Sequence, residues 1–505
     1  MANNNKLIFK NTIILYIRMI VVMLISLYSS RIVLKALGVD DFGLYNVIGG
    51  VVALFSFLRS SLTSSTQRFL SFELGKGNGE RLKKVFSVSV TTHVLVSLVI
   101  LLLSESLGLW FLNSKVNIPV GREFAANIIY QLSVFSLLVG MVTVPYNADV
   151  ISHEKMGFFA IVGIFEAMLK LLFAFLLLVY GEDKLIVYGI FMAILNVLIL
   201  LSYMVYCQIR FEETKFKFIF EKQLFKEIFS FSSWTILGQM AVITVNYGTS
   251  ILLNIFYSVA ANAAMGIAQQ VNGALSGLTS NFQTAFQPQI TKSYASRNLS
   301  YMNDLIYYSS KISFFLLFIV TFPVIMNIDA ILFFWLTSVP QFTNSFCVLF
   351  IVASIFNAIS APLWISIFAT GRIKAYQIVV SVVFFLDLFF VYGLFVLGFP
   401  PVTCMVVKVV INFVVIFVRL YYTSKEVDGF TPILYIKNAL LPCFLSAAFT
   451  VLPVIFASFY INSVGGRIIL TIFGLLLSIV IGYLVGLNTK ERLMVQKYAY
   501  KLFHK

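Results

Sequence analysis

Long apolar runs alternate with short polar segments along almost the whole chain. About 20 apolar residues, each rising 1.5 Å as a helix, cross the hydrocarbon core of a bilayer. The pattern predicts about fourteen such helices, at 11–34, 45–70, 85–109, 123–148, 158–181, 185–208, 228–257, 260–288, 306–327, 343–369, 376–397, 401–422, 437–460 and 465–487. The expected fold class is therefore an all-α polytopic membrane protein.

Two of the runs carry a polar stripe. In the second it reads Gly49, Gly50, Ala53, Ser56, Ser60, Thr63 and Gln67, and in the eighth Gln269, Gln270, Gly273, Ser276, Ser280, Gln283 and Gln287. The spacing is helical, so each set falls on one face. An offset of about 220 residues superposes the two, matching Ser56 with Ser276, Ser60 with Ser280 and Gln67 with Gln287. One reading is close helix packing through small residues. The other is that both faces line a water-filled cavity between two lobes, because parallel repeats are a transporter design.

Composition supports the membrane assignment. The 505 residues are 60% hydrophobic and 11% charged, with a mean hydropathy of +0.95. Soluble domains carry about 25% charged residues. Cys207, Cys347, Cys404 and Cys443 lie in apolar runs without a CxxC pair, which argues against a disulfide framework or zinc site. His93, His153 and His504 are scattered, so no metal or other cofactor is expected. The polar, basic start MANNNKLIFK resembles a signal-peptide n-region, but the run after it is too long for an h-region and lacks a small-residue cleavage site. It is read as a retained first span.

The net charge of +15 has an explanation other than nucleic acid. An even number of spans puts both termini on one side. With that side cytoplasmic, the inner loops carry about 22 Lys and Arg and the outer loops about four, Lys35, Lys115, Arg122 and Lys184. The expected division is an N-terminal lobe at 1–208, a cytoplasmic amphipathic linker helix at 209–227, a C-terminal lobe at 228–425, and two further spans with a basic tail at 426–505.

Some charges lie inside the spans. Arg31, Arg68, Lys311 and Arg419 are near span ends, where long side chains snorkel to the interface. Arg18, Arg59, Lys170 and Lys408 are deeper, where an unpaired charge is costly. Glu166 and Lys170 are four residues apart in the favourable acid-first order. Asp387 and Lys408 lie at similar depth across the turn GFPP, 398–401. Both are expected as ion pairs, with a proton or sodium coupling role for Glu166 or Asp387 as the alternative. Arg18 and Arg59 remain. They sit about seven and about eleven residues from the inner ends of their spans, depths that differ by about 6 Å. Spans 1 and 2 hold no acid at that depth. One reading gives these arginines helix-end carbonyls or an acid from a distant span. The other gives them an anionic ligand, and a guanidinium suits phosphate.

Three segments carry a family resemblance. SRIVLKALGVDDFGLYNVIGGVVALFSFL (30–58), VPYNADVISHEKMGFFAIVGIFEAMLK (144–170) and ANAAMGIAQQVNGALSGLTSNFQTAFQPQITKSYA (261–295) resemble, in order, segments of bacterial O-antigen and polysaccharide flippases. These belong to the multidrug/oligosaccharidyl-lipid/polysaccharide exporter superfamily. The resemblance covers about residues 10–425. It implies two six-helix lobes related by a pseudo-two-fold repeat around a central cavity, plus two C-terminal helices. It also implies alternating access that carries an undecaprenyl-diphosphate-linked oligosaccharide from the inner to the outer leaflet of a bacterial cytoplasmic membrane. The choice of Arg18 and Arg59 rests on charge, not on the resemblance.

The expected site places the diphosphate at Arg18 and Arg59, with Ser56, Thr63, Gln67, Gln239, Asn246, Gln270 and Gln283 toward the sugar. Expected partners are the lipid-linked oligosaccharide, membrane lipids, and a polysaccharide polymerase or ligase. A cation-coupled multidrug exporter and a peptidoglycan-precursor lipid flippase are the alternatives. An acid in the first-lobe cavity, which a drug exporter wants, is missing from spans 1 and 2. An enzyme is disfavoured by outer loops of only about 13–15 residues that cluster neither acids nor histidines. HEKM, 153–156, lacks the second histidine of HExxH and is read as a solvated inner turn.

Overall fold

The computed structural model describes residues 2–53, 55–116, 118–181, 183–215, 221–336, 338–460, 464–489, 491–493 and 496. Among them every regular element is a helix. The α-helices are α1 (Ala2–Ala53), α2 (Ser56–Lys76), α3 (Gly79–Leu103), α4 (Leu109–Lys115), α5 (Glu123–Ser152), α6 (Met156–Val179), α7 (Lys184–Arg210), α8 (Lys222–Phe256), α9 (Val259–Ala295), α10 (Leu299–Met326), α11 (Ile328–Trp335), α12 (Thr343–Thr370), α13 (Lys374–Val396), α14 (Thr403–Glu426), α15 (Pro432–Tyr435), α16 (Leu441–Ser458) and α17 (Val464–Ile481).

Twelve helical stretches among the described residues are long and apolar enough to cross a membrane. The two expected spans outside that set, 45–70 and 260–288, are the ones with polar stripes, and they form the end of α1 with α2, and α9. Their polarity lowers the apolar signal without preventing the helix. Leucines and phenylalanines on many helices are exposed, among them Leu27, Phe389 and Phe473, as lipid-facing positions require.

α1 has 52 residues, too many for one crossing, and its helical geometry is interrupted at Gly38, with φ 79° and ψ 173°. That conformation is accessible essentially to glycine alone. The limb before it packs Ile32 and Val33 on Ala174 of α6. The limb after it packs Leu44, Ile48 and Val52 on Ala125, Ile129 and Tyr130 of α5. The two limbs of one broken helix thus supply the first expected span and the start of the second.

The chain divides into two compact units. Unit 1 is Met1–Gln239 with Thr291–Ser296, and unit 2 is Met240–Ile290 with Arg297–Lys505. In unit 1, α5 packs along α7, α1 along α6, and α2 and α3 on α5. In unit 2, α12 packs along α14 and α10, while α16 and α17 pack on each other and on α10. The pairing of α5 with α7 matches that of α12 with α14: each joins the fourth and sixth expected span of a six-span set.

Two expectations need correction here. The described part of 209–227 is not a separate surface helix: Glu212–Thr214 is a single 3-10 turn and Lys222 already opens α8, while residues 216–220 lie outside the described set. The span-end cations do not all snorkel. Lys311 is 1% exposed and paired with Glu491. Arg419 is buried and donates to Asn357 Oδ1 (2.9 Å) and Ser360 Oγ (2.6 Å). Arg68 is buried over the rings of Phe72 (4.5 Å) and Phe69 (4.6 Å). Protein groups rather than interfacial water satisfy these charges.

Candidate functional site

Four charged side chains converge within unit 1. On α6, acid-first spacing puts Glu166 and Lys170 on one face, and Lys170 Nζ donates to Glu166 Oε1 at 2.6 Å. Both line a cavity of about 400 Å³ with Arg59 of α2. Tyr45 and Gly49 of α1, Ser133 and Ser136 of α5, and Asn196 of α7 complete its polar lining.

Arg18 approaches the same acid from α1. Its guanidinium lies 4.3 Å above the Phe159 ring, and its Nε is buried without a hydrogen-bond partner. Glu166 is near enough to act electrostatically on both Arg18 and Arg59, as is Tyr203, whose hydroxyl is held by Asn147. Neither arginine forms an ion pair within 4 Å among the described residues. Three cations thus surround one carboxylate, and the centre keeps a positive surplus.

Glycines make the arrangement possible. A Cβ on Gly163 would stand 2.2 Å from Arg18 Nε, and one on Gly140 would stand 3.1 Å from an Arg59 terminal nitrogen. Each guanidinium lies in the notch left by a missing side chain on the facing helix.

The acid nearest in influence to Arg18 and Arg59 lies on a distant span, but it is paired with Lys170 and bonds neither arginine. Sequence reasoning also passed over Ser133, Ser136 and Asn196. The run S-x-x-S-x-x-x-G at 133–140 carried a signal for them: small residues at helical spacing on one face.

The other stripe residues are placed differently. Thr63 Oγ1 donates to Arg59 O on its own helix at 2.8 Å, and Ser60 and Ser280 likewise bond back to Phe57 and Gly277. Gln67 is buried and its Nε2 lacks a partner, so it does not line an open water-filled face. The Ser56 side chain lies outside the described set. Gln239 is exposed at the end of unit 1. In unit 2, Gln270 is exposed and Gln283 half-buried.

The expected Asp387–Lys408 ion pair does not form. Lys408 Nζ donates to Asn246 Oδ1 at 2.7 Å and lies 4.6 Å from the Phe350 ring centroid. Asp387 is buried with Oδ1 unpartnered and feels Lys408 only electrostatically. The neutral amide of Asn246 was the nearer acceptor, which also takes that amide away from a sugar-binding role.

The HEKM turn is not solvated either. His153 Nε2 is 2.6 Å from Glu213 Oε1, and its ring stacks on Phe211 at 4.0 Å. Glu154 is buried and bonded by Lys292 at 2.5 Å. Burial works against the Glu213 carboxylate, but the hydrogen bond from His153 holds it below the usual range. Only Lys155 of the three charged or titratable turn residues is exposed.

Comparison with known proteins agrees with this geometry at the level of fold and family. A family model described as polysaccharide biosynthesis protein matches residues 8–294. The uncharacterized membrane protein EpsK of Bacillus subtilis (strain 168) is 22% identical over 297 residues, 57% of this chain. That match spans 56% of EpsK, little more than half its length. Solved structures share the fold at low identity. An outward-facing multidrug resistance MATE family transporter of the MOP superfamily superposes with a TM-score of 0.74 at 13% identity, over 84% of this chain and 96% of that one. A mutant of the Vibrio cholerae MATE transporter VcmN gives 0.68 at 16% identity, over 86% and 99%. A MOP superfamily transporter from Pyrococcus furiosus, described by a binding pocket of reverse polarity that suggests a different function, gives 0.66 at 12% identity, over 83% and 96%.

Proposed function

The chain belongs to the polysaccharide biosynthesis protein family, and we propose that within it this multi-pass membrane protein is a flippase for an undecaprenyl-diphosphate-linked oligosaccharide. It works in the bacterial cytoplasmic membrane, with both termini cytoplasmic, by alternating access. The observation that carries this reading is the cationic surplus of unit 1: Arg59 and Lys170 line a cavity of about 400 Å³ with the acid Glu166, and Arg18 lies within electrostatic reach of the same acid. Guanidinium groups bind phosphate oxygens in pairs and stay charged in a dry setting. The hydroxyls and amides of Ser133, Ser136 and Asn196 offer hydrogen bonds beside the charges. No cofactor is required, and coupling to protons or sodium through Glu166 or Asp387 belongs to the same proposal. A polysaccharide polymerase or ligase would receive the product.

A cation-coupled drug exporter is the second reading, favoured by the fold of the multidrug resistance transporter. The sign of the charge around Glu166 counts against it, since an organic cation would meet three positive groups.

Native mass spectrometry of purified protein with undecaprenyl-diphosphate lipid separates the two. Wild type should retain the diphosphate in preference to a neutral polyprenol. Arg18→Gln and Arg59→Gln should each weaken retention about tenfold or more, the loss of one charge-assisted contact. Equal retention of both lipids by all three proteins would remove the arginines from substrate binding.

A further inference from the structure

Beyond the transport site, we propose that Asp149, His153 and Glu213 form a divalent-metal site at the predicted cytoplasmic end of unit 1, with Zn²⁺ as its best occupant. Asp149 and His153 are four residues apart at the end of α5, so they share a face. Glu213 arrives on the 3-10 turn that follows α7. One ligand atom from each lies within 4.8 Å of the other two. The separations are 2.6 Å from His153 Nε2 to Glu213 Oε1 and 3.8 Å from His153 Nε2 to Asp149 Oδ1. Ligands of a tetrahedral zinc, each bonded at about 2.0–2.2 Å, stand about 3.4 Å apart. Small side-chain rotations bring the three to that distance.

An independent observation points to an occupant. Asp149 is 0% exposed, and neither of its carboxylate oxygens has a hydrogen-bond partner. A fully buried carboxylate whose oxygens lack a donor is costly unless a cation is bound to it. The nearby cation, Lys292, is held by Glu154 at 2.5 Å. His153 is prepared for ligation: its ring is stacked on Phe211 at an 8° interplanar angle, and its backbone N–H closes the helix on Asp149 O at 2.9 Å. The imidazole and carboxylate donors suit zinc and other borderline metals. Three protein ligands leave a fourth position for water, which the part-exposed His153 side admits. Metal would replace the proton between His153 and Glu213 and tie α5 to the segment after α7.

The test uses tag-free, full-length protein purified in detergent, so that no polyhistidine competes. After dialysis against Zn²⁺ and a brief chelator wash, elemental analysis should find about one zinc per chain in wild type and in Arg59→Gln. Asp149→Asn and His153→Gln should bind at least tenfold more weakly. Chelation should lower the melting temperature of wild type and leave that of His153→Gln unchanged. Should the variants fold poorly, wild type loaded with Co²⁺ carries the test alone, through the visible absorption of a tetrahedral centre. No zinc and no such absorption in wild type, or full zinc uptake by His153→Gln, overturns the proposal.

Discussion

A guanidinium inside a membrane protein is expensive unless something holds it, and here the holding is done partly by absent atoms. Arg18 fits because Gly163 has no side chain, and Arg59 fits because Gly140 has none. The two notches differ in tightness. Gly163→Ala would put a methyl 2.2 Å from Arg18 Nε, whereas Gly140→Ala leaves 3.1 Å to Arg59. Overpacking of this kind costs about 1–3 kcal/mol, and the flexible arginine is the group that moves. Gly163→Ala is therefore expected to impair lipid-linked sugar export at normal protein level, and Gly140→Ala to impair it less. Export assays normalised to membrane content would check the order; equal effects would mean that the notches do not position the arginines. Glu166 works in the opposite direction. Glu166→Gln removes the only acid among the three cations, so retention of the diphosphate lipid should rise by about threefold to tenfold, a gain of about 1 kcal/mol. A fall in native mass spectrometry would instead give Glu166 a direct part in binding.

At the scale of elements, the predicted outer end of unit 1 is tied by one residue. Arg122, just before α5, donates to both oxygens of Asp41 beyond the α1 break and, at 2.8 Å, to Asp183, the N-cap of α7. Three segments therefore meet at one planar fork, a geometry that lysine does not reproduce. The groups are partly exposed, so the screened contribution is about 1–2 kcal/mol. Arg122→Lys should recover only part of the melting temperature lost in Arg122→Gln; full recovery would mean that charge alone matters. The break at Gly38 depends on backbone conformation. A Cβ there meets nothing within 4 Å, yet its φ of 79° excludes other residues. Gly38→Ala is expected to destabilise by about 1–3 kcal/mol through the backbone alone, read as an earlier thermal transition in detergent with no change in lipid selectivity.

For the whole molecule, the Lys and Arg asymmetry between alternate loops sets the expected orientation. The four native cysteines are all buried, so a membrane-impermeant maleimide has little background on intact cells. Val120→Cys, at a residue that is 99% exposed, should label from outside, and Lys425→Cys should label only after the membrane is opened. The reverse pattern would invert the topology and with it the direction of transport.

Apolar run length made the helices legible from sequence, because lipid leaves a backbone few choices. The acid-first spacing of Glu166 and Lys170 made their pairing legible, because a helix fixes which residues four apart meet. The polar stripes lay in the same local code, although the cavity reading of them is more open to water than buried Gln67 allows. What the tertiary structure decided was which separate helices face one another. Glu166 lies beside Arg18 and Arg59, Asn246 takes Lys408 from Asp387, and Glu213 closes on Asp149 and His153 across 60 or more residues of chain. Periodicity assigns a residue to a face of its own helix. It carries no information about the partner that face meets, since that depends on the packing of all the helices together.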